Sequence, residues 1–363
     1  MKRRGYREQK RNYVKIGVGA LALFILLEIA LFALRSHTIN MIRQGATSKH
    51  PTLFDNISQT QALMVQGQEP VVQGQEDVPV IEEGWIVQNN VAYEYRENLL
   101  NFLFIICADG VADESNYPSP VQSLVLLTLD PNTKQISALA VDRNAMAHFE
   151  VYDPIRETQV EMFGQLASAY AYGSDPQESA RYMKFAMSRY LYDLPIHGYV
   201  AIDLAAIAQL NDQVGGVTLS VLENDLPAKM PDQGKMVTLQ GTQAYEYVTY
   251  LNPDAASGSK DRLMRQKQFI NAFFLQGKEA FAQDATLPIK ILDVLLDDVH
   301  TDILANEIAY LAQMTSTYEF REDAYSFVLG YADHSKEYKE FYTNDLALQN
   351  MMVELFYQPV EVK

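Results

Sequence analysis

The hydrophobic and polar positions fall into three regimes. From Ile16 to Leu34 every residue is apolar or small except Glu28. From residue 37 to about 84 the chain turns rich in Gln, Glu, Pro and Gly, and Val-Gln-Gly-Gln-Glu occurs at 65–69 and again at 72–76. From Gly84 onward apolar residues return at strand and helix periods. Trp85–Tyr95 predicts one or two edge strands, and the continuous apolar run Leu99–Ala108 a buried central strand. Gln122–Leu129 and Gln135–Val141 flank the turn signal Asp130-Pro131-Asn132-Thr133-Lys134 and predict a hairpin. Apolar residues at helical spacing follow over Gln165–Tyr172, Pro176–Tyr192, Leu204–Asp212, Gly241–Tyr250, Ser259–Gln283, Leu287–Leu296, Leu304–Met314 and Asp345–Phe356. Short strands are expected at His197–Ile202, Val217–Val221 and Tyr325–Leu329. Strands and helices mix without strict βαβ alternation, so the expected fold class is α/β, a sandwich with a mixed central sheet covered by helices.

Charge sharpens the first regime. The chain has 363 residues and a formal net charge of -17. Yet Lys2, Arg3, Arg4, Arg7, Lys10, Arg11 and Lys15 precede the apolar run, against one acid, Glu8. That run is long enough to cross a hydrocarbon core of roughly 30 Å, and the basic flank belongs on the cytoplasmic side. The expected organisation is a cytoplasmic tail (1–15), a transmembrane helix (16–35), an extracellular stalk (36–84) and an extracellular domain (85–363). A cleavable signal peptide would have a shorter apolar region, about 7–15 residues, ending in a small-x-small site. Glu28 in mid-span carries a penalty of about 2.5–3.5 kcal/mol, by analogy with a central Asp. The stalk composition buries too little apolar surface to offset ordering entropy. The acidic balance excludes nucleic acid as a partner, because phosphate backbones need a basic face.

Candidate chemistry is sparse. The single cysteine, Cys107, lies in an apolar run and reads as a core residue, so no internal disulfide is expected. The histidines are scattered without zinc spacing, and no Gly-x-Ser-x-Gly elbow, Walker loop or dinucleotide fingerprint occurs. Three places remain. Asp109 follows the first core strand, where open α/β sheets bind ligands or where a simple turn acid sits. Arg143-Asn144 follows the returning strand of the hairpin, where the pairing brings Arg143 near Asp109, as an ion pair or a site. Arg262, Arg265 and Gln266 lie at i, i+3 and i+4 near the start of a helix capped by Ser259 or Asp261. Two guanidiniums beside unpaired helix N–H groups suit a multiply charged anion; the same spacing also describes a solvated helix face.

In order, these segments resemble the LytR–CpsA–Psr (LCP) family of membrane-anchored cell-wall proteins, in a divergent Firmicute-type member. Asn101–Asp109 resembles its opening strand ending in an acid, and Leu124–Pro131 through Asp142-Arg143 its strand-turn-strand. Ala169-Tyr170-Ala171-Tyr172-Gly173 is a near-literal match to a family helix. Leu194-Pro195-Ile196 through Asp203, Gly215-Gly216-Val217, Arg262-x-x-Arg265-Gln266 and Leu355-Phe356-Tyr357 continue the likeness, which covers about 92–357. The resemblance implies transfer of a glycopolymer from a polyprenyl-pyrophosphate carrier to peptidoglycan by phosphoryl transfer. It implies Mg2+ on Asp109, arginines on the pyrophosphate, and a lipid tunnel between sheet and helices. Carried over by position, Arg143, Arg262 and Arg265 are the catalytic candidates. Those three with Gln266, Gln122 and Asn144 form the substrate-binding set.

The chain also departs from the pattern. The second metal-site acid is Gln122, the Asp after the strand-end arginine is Asn144, and an expected arginine pair is Thr249 and Leu251. These losses open a second reading, a catalytically impaired paralogue that binds polyprenyl phosphates or partner proteins as a regulator or scaffold.

Overall fold

The computed structural model describes residues 37–53, 85–88, 91–107, 121–153, 157–224, 226–227, 229–250, 258–284, 286–287, 290–291, 298–333, 335 and 339–360. The expected transmembrane helix, the basic tail, most of the expected stalk, Asp109 and Leu251 lie outside them. Most of the expected 287–296 helix also does. Among the described residues no helix is long and apolar enough to cross a membrane. The chain divides into two units, residues 1–44 and 45–363; the second carries everything below.

Its strands, in chain order, are β1 (Ile86–Gln88), β2 (Val91–Tyr95), β3 (Leu100–Cys107), β4 (Val121–Asp130), β5 (Gln135–Val141), β6 (Met146–Asp153), β7 (Thr158–Gln165), β8 (Gly198–Asp203), β9 (Thr218–Ser220), β10 (Met236–Thr238), β11 (Val299–Thr301), β12 (Glu319–Phe327), β13 (Gly330–Asp333), β14 (Glu340–Thr343) and β15 (Tyr357–Pro359). Six of them make the central sheet, in the order β11-β8-β3-β4-β5-β12. β3 runs parallel to β8 and antiparallel to β4; β5 runs antiparallel to β4 and parallel to β12. The carboxyl ends of β3, β5, β8 and β12 therefore collect at one end of a mixed sheet.

Helices cover both faces. They are α1 (Pro176–Tyr190), α2 (Leu204–Gln213), α3 (Thr242–Thr249), α4 (Gly258–Gln283), α5 (Ala305–Thr315) and α6 (Asp345–Phe356). Ala180, Met183 and Met187 of α1 and Met352 and Phe356 of α6 pack with Leu103, Ile105, Leu124 and Leu126 of the sheet. Ile106 and Ile202 turn the other way, onto a second cluster built by Ile207, Tyr247 and Phe269 of α2, α3 and α4. Alternate residues of β3 thus serve opposite cores, which is why its sequence is apolar throughout instead of alternating.

Three differences from the sequence expectations have physical reasons. The β6–β7 hairpin does not stand out as a continuous apolar run, yet Ala147, Phe149 and Val151 are buried while His148 and Glu150 face solvent. That is the period-2 pattern of a half-buried strand. Helix α4 begins at Gly258, so Ser259 and Asp261 lie inside its first turn and not ahead of it. Within the expected stalk, residues 45–53 bond to the domain. Thr47 Oγ1 donates to Ser188 Oγ (2.8 Å), Thr52 Oγ1 to Asp193 Oδ2 (2.9 Å), and Lys184 Nζ to the Gly45 carbonyl (2.8 Å), while Leu53 is fully buried. Thr47 Oγ1 also accepts from the Ile196 N–H (3.0 Å), and these bonds offset some of the ordering entropy that composition alone sets against structure.

Candidate functional site

β5 leaves the sheet through the turn Asp142-Arg143-Asn144-Ala145, closed by the Ala145 N–H on the Asp142 carbonyl (3.0 Å). Asp142 Oδ1 accepts from both the backbone N–H (2.8 Å) and the side-chain amide (3.1 Å) of Asn144. This is the local geometry that a short acid two residues upstream favours. Asn144 Oδ1 in turn accepts from Gln165 Nε2 (3.4 Å). Arg143 Nη1 donates to the carbonyl of Val121 (2.8 Å), at the entrance of β4, so its guanidinium is held across the carboxyl end of the sheet. Gln122 follows at a β-bulge. Ile106 pairs with Ser123 and Cys107 with Val121, so Gln122 is the extra residue, half-buried. Bulges of this kind re-aim side chains beside functional sites.

Arg262, in the first turn of α4, stands close enough to Arg143 and Asp142 to feel both charges. Burial first, and then the Arg143 guanidinium, pull its pKa below the ordinary arginine value; Asp142 partly offsets them. Its Nε is buried with no hydrogen-bond partner among the described residues. A buried donor left unbonded and facing a second cation is an unfavourable arrangement by itself. It is the arrangement a multiply charged anion would relieve.

The rest of the late signature is spent inside the protein. Arg265 is 1% exposed. Its Nε donates to the Tyr247 carbonyl (2.7 Å) and its Nη2 to the Tyr250 carbonyl, and it pairs with Glu223 and lies over the rings of Tyr247 and Tyr250. Gln266 Nε2 donates to the Val248 carbonyl (3.1 Å). Both side chains therefore serve the carboxyl end of α3, where helix carbonyls have no partner of their own and cations are favoured. Burial lowers the Arg265 pKa to about 10, which leaves it charged at neutral pH. Helical spacing puts Arg262 and Arg265 on one face. Only the position of α3 reveals that one is committed and the other is not. Glu223, which makes that commitment possible, carries no signal in the sequence.

Cys107 ends β3 as a buried thiol within hydrogen-bond reach of Tyr170; burial pushes it up to about 12. Thr249 bonds its own helix through the Tyr245 carbonyl (2.8 Å). Among the described residues no group of three or more His, Cys, Asp or Glu side chains converges. A cavity of about 190 Å³ opens beside the Asn144 turn, between the β6–β7 hairpin, the 3-10 helix Leu166–Tyr172 and β14.

Arg143 and Arg262 thus bring two cations to the carboxyl end of a mixed α/β sheet. The chain belongs to the LytR_cpsA_psr family, whose model matches residues 87–331. It is 26% identical over 218 residues to the Oceanobacillus iheyensis polyisoprenyl-teichoic acid–peptidoglycan teichoic acid transferase TagU, covering 60% of this chain and 63% of that protein. The chain thus spans about three-fifths of that relative's length. Among solved structures its fold is similar to TagV of B. subtilis (TM-score 0.54, 19% identity, 72% of this chain and 98% of that one). It is also similar to the protein gbs0355 of Streptococcus agalactiae (TM-score 0.56, 19% identity, 71% and 88%).

Proposed function

We infer that the chain transfers a glycopolymer from a polyprenyl-pyrophosphate carrier to peptidoglycan. The observation that carries this reading is the pair Arg143 and Arg262, within electrostatic reach of each other at the sheet's carboxyl end, with the Arg262 Nε buried and without a hydrogen-bond partner among the described residues. Family membership and the activity in the name of the O. iheyensis relative support it. Phosphoryl transfer asks a protein mainly for alignment and charge neutralisation. The two guanidiniums fit the oxygens of a pyrophosphate. A sugar hydroxyl attacks the phosphorus bearing the polymer, the new O–P bond forms, and the bond to the bridging oxygen breaks. Polyprenyl phosphate leaves with that electron pair, and the hydroxyl proton goes to a departing phosphate oxygen. Asn144, fixed between Asp142 and Gln165, orients the hydroxyl without taking its proton.

Asp109 is the residue to hold a Mg2+ ion, with Gln122 offering an amide oxygen from the bulge in place of a second carboxylate. One carboxylate plus substrate phosphates is an ordinary donor set for this ion, which supplies a hard positive charge to the phosphate oxygens. Arg265 and Gln266 act as positioning residues, holding α3 against α4 and so fixing Arg262. The basic amino-terminal residues and the apolar run 16–35 anchor the chain in the cell membrane as a single span. The amino terminus is then cytoplasmic and the domain outside.

A second reading is favoured by the commitment of Arg265 and by Gln122 and Asn144 standing where acids are expected. Arg143 and Arg262 suffice to bind a carrier headgroup and fall short of a full catalytic set, which describes a regulator or scaffold. The test incubates the full chain in detergent with polyprenyl-pyrophosphate-linked glycan, peptidoglycan fragments and Mg2+, and measures released polyprenyl phosphate. Turnover that disappears in Arg262→Met supports the transferase. Tight carrier binding without turnover supports the second reading.

A further inference from the structure

The cavity beside the Asn144 turn is not used by the anion site. Phe149, Met146 and Met162 form its apolar wall, Phe163 and Tyr172 flank it, and Gln165, Ser168 and Glu340 supply polar groups. Phe163 is 57% exposed and Tyr172 38%, an unusual exposure for two aromatic rings about one opening. The lining holds no cation and one carboxylate, so a phosphate is excluded electrostatically. A hydrocarbon tail is disfavoured as well, because it would desolvate the charged Glu340 carboxylate, which already accepts from the Tyr342 hydroxyl, and offer it no hydrogen bond in return. What fits is a neutral ring with hydroxyls on its edge and C–H groups on its face. Such a ring lays its C–H face against the electron-rich aromatic faces and turns its hydroxyls to the amide and carboxylate. At about 190 Å³ the space falls below the roughly 300 Å³ at which drug-sized pockets begin, so it suits a single ring.

Its place matters as much as its lining. Gln165, on the cavity wall, donates from Nε2 both to the Lys339 carbonyl (2.6 Å) and to Asn144 Oδ1 (3.4 Å). Ser168 Oγ in turn bonds the Gln165 carbonyl (2.5 Å). The wall of the cavity is thus tied to the turn that carries Arg143.

We propose that this cavity is the subsite for one sugar ring of the acceptor glycan, seated on Phe163 and Tyr172 and held by Gln165 and Glu340. The inference rests on the transferase reading for the word acceptor; the saccharide chemistry of the cavity stands without it. The ring sits beside Asn144, one residue from Arg143, which brings a hydroxyl of the acceptor chain toward the phosphorus.

The experiment measures binding of a defined N-acetylhexosamine disaccharide to the full chain in detergent, by calorimetry and by ligand-detected NMR. Phe163→Ala removes a ring that is more than half exposed, so the fold persists, and an unchanged melting curve checks this. It weakens binding about three- to tenfold, the loss of one stacked face. Glu340→Gln, which keeps the shape, weakens it severalfold, and Arg262→Met leaves it within twofold. An affinity unmoved by both Phe163→Ala and Glu340→Gln overturns the proposal, as does displacement of the disaccharide by a short prenyl alcohol. If Arg262→Met abolishes transfer while the cavity variants leave saccharide affinity intact, the cavity assignment fails and the transferase reading stands. If the disaccharide binds through Phe163 in a chain that never turns over, the transferase reading fails and the subsite stands.

Discussion

Arg262 and Arg265 lie within one turn of α4 and differ in what surrounds them, so replacing each by Met separates ligand binding from stability. Met keeps the length of the stem and removes only the guanidinium. In Arg265→Met the carbonyls of Tyr247 and Tyr250 lose their donors and Glu223 loses its ion pair. Breaking a buried pair by removing one partner costs about 3–5 kcal/mol. For a domain of this size, roughly 2–4 °C per kcal/mol, the melting temperature falls by on the order of 10 °C. Arg262→Met removes a buried donor with no bond and a repulsion with Arg143. Its stability stays within about 0.5 kcal/mol or rises, while transfer drops by about 10²–10³-fold, the usual loss for one preorganised charge contact. Thermal unfolding by circular dichroism, run beside the polyprenyl phosphate release assay, reads both effects. The reasoning is refuted if Arg262→Met unfolds as early as Arg265→Met, or if Arg265→Met melts like the wild type and loses only turnover.

Other expectations can be checked directly. The Cys107 thiol, raised to about 12 by burial, does not react with thiol reagents in the native chain at pH 8 and reacts fully once the chain is denatured. Because the folded state keeps a proton that the unfolded chain releases, this thiol's contribution to stability is complete below about pH 9 and is lost as pH rises from about 9 to about 12. Gly173→Ala destabilises strongly, since an added Cβ would lie 2.2 Å from the backbone nitrogen of Ser179, a clash that denaturant titration reports as a lower midpoint. Lys184→Met strips the buried ion pair with Asp302 and the bond to the Gly45 carbonyl. It should lower stability by about 3 kcal/mol or more and expose residues 45–53 to limited proteolysis.

Much of the central sheet was legible because β3, β4 and β5 are long apolar runs, the last two joined by an unambiguous Asp-Pro-Asn turn, and burial on both faces leaves such a run few alternatives. The Ala-Tyr-Ala-Tyr-Gly stretch was recognisable as a motif, but the role of its glycine was not, because the atom it must avoid belongs to Ser179 in the next helix. The hairpin register places Arg143 just past the end of β5, as found, while its expected neighbour Asp109 lies outside the described residues. Arg265 could not, because its role depends on where the carboxyl end of α3 comes to rest, and nothing local in Arg262–Gln266 encodes that. The β6–β7 hairpin keeps its polar phase at His148, Glu150 and Glu161, but Tyr152 and Phe163 are aromatic residues on exposed positions, and they blur the period-2 signal beside its neighbours.

The bonds made by residues 45–53 bear on how the domain is tethered. Residue 53 and residue 85 belong to the same unit, so whatever course the intervening chain takes, it adds nothing to the reach of the domain from anything that holds the polypeptide upstream. The leash ends at residue 45. A pull from the amino-terminal side would be borne by the Thr47, Thr52 and Lys184 bonds and delivered to α1 and the turn that follows it.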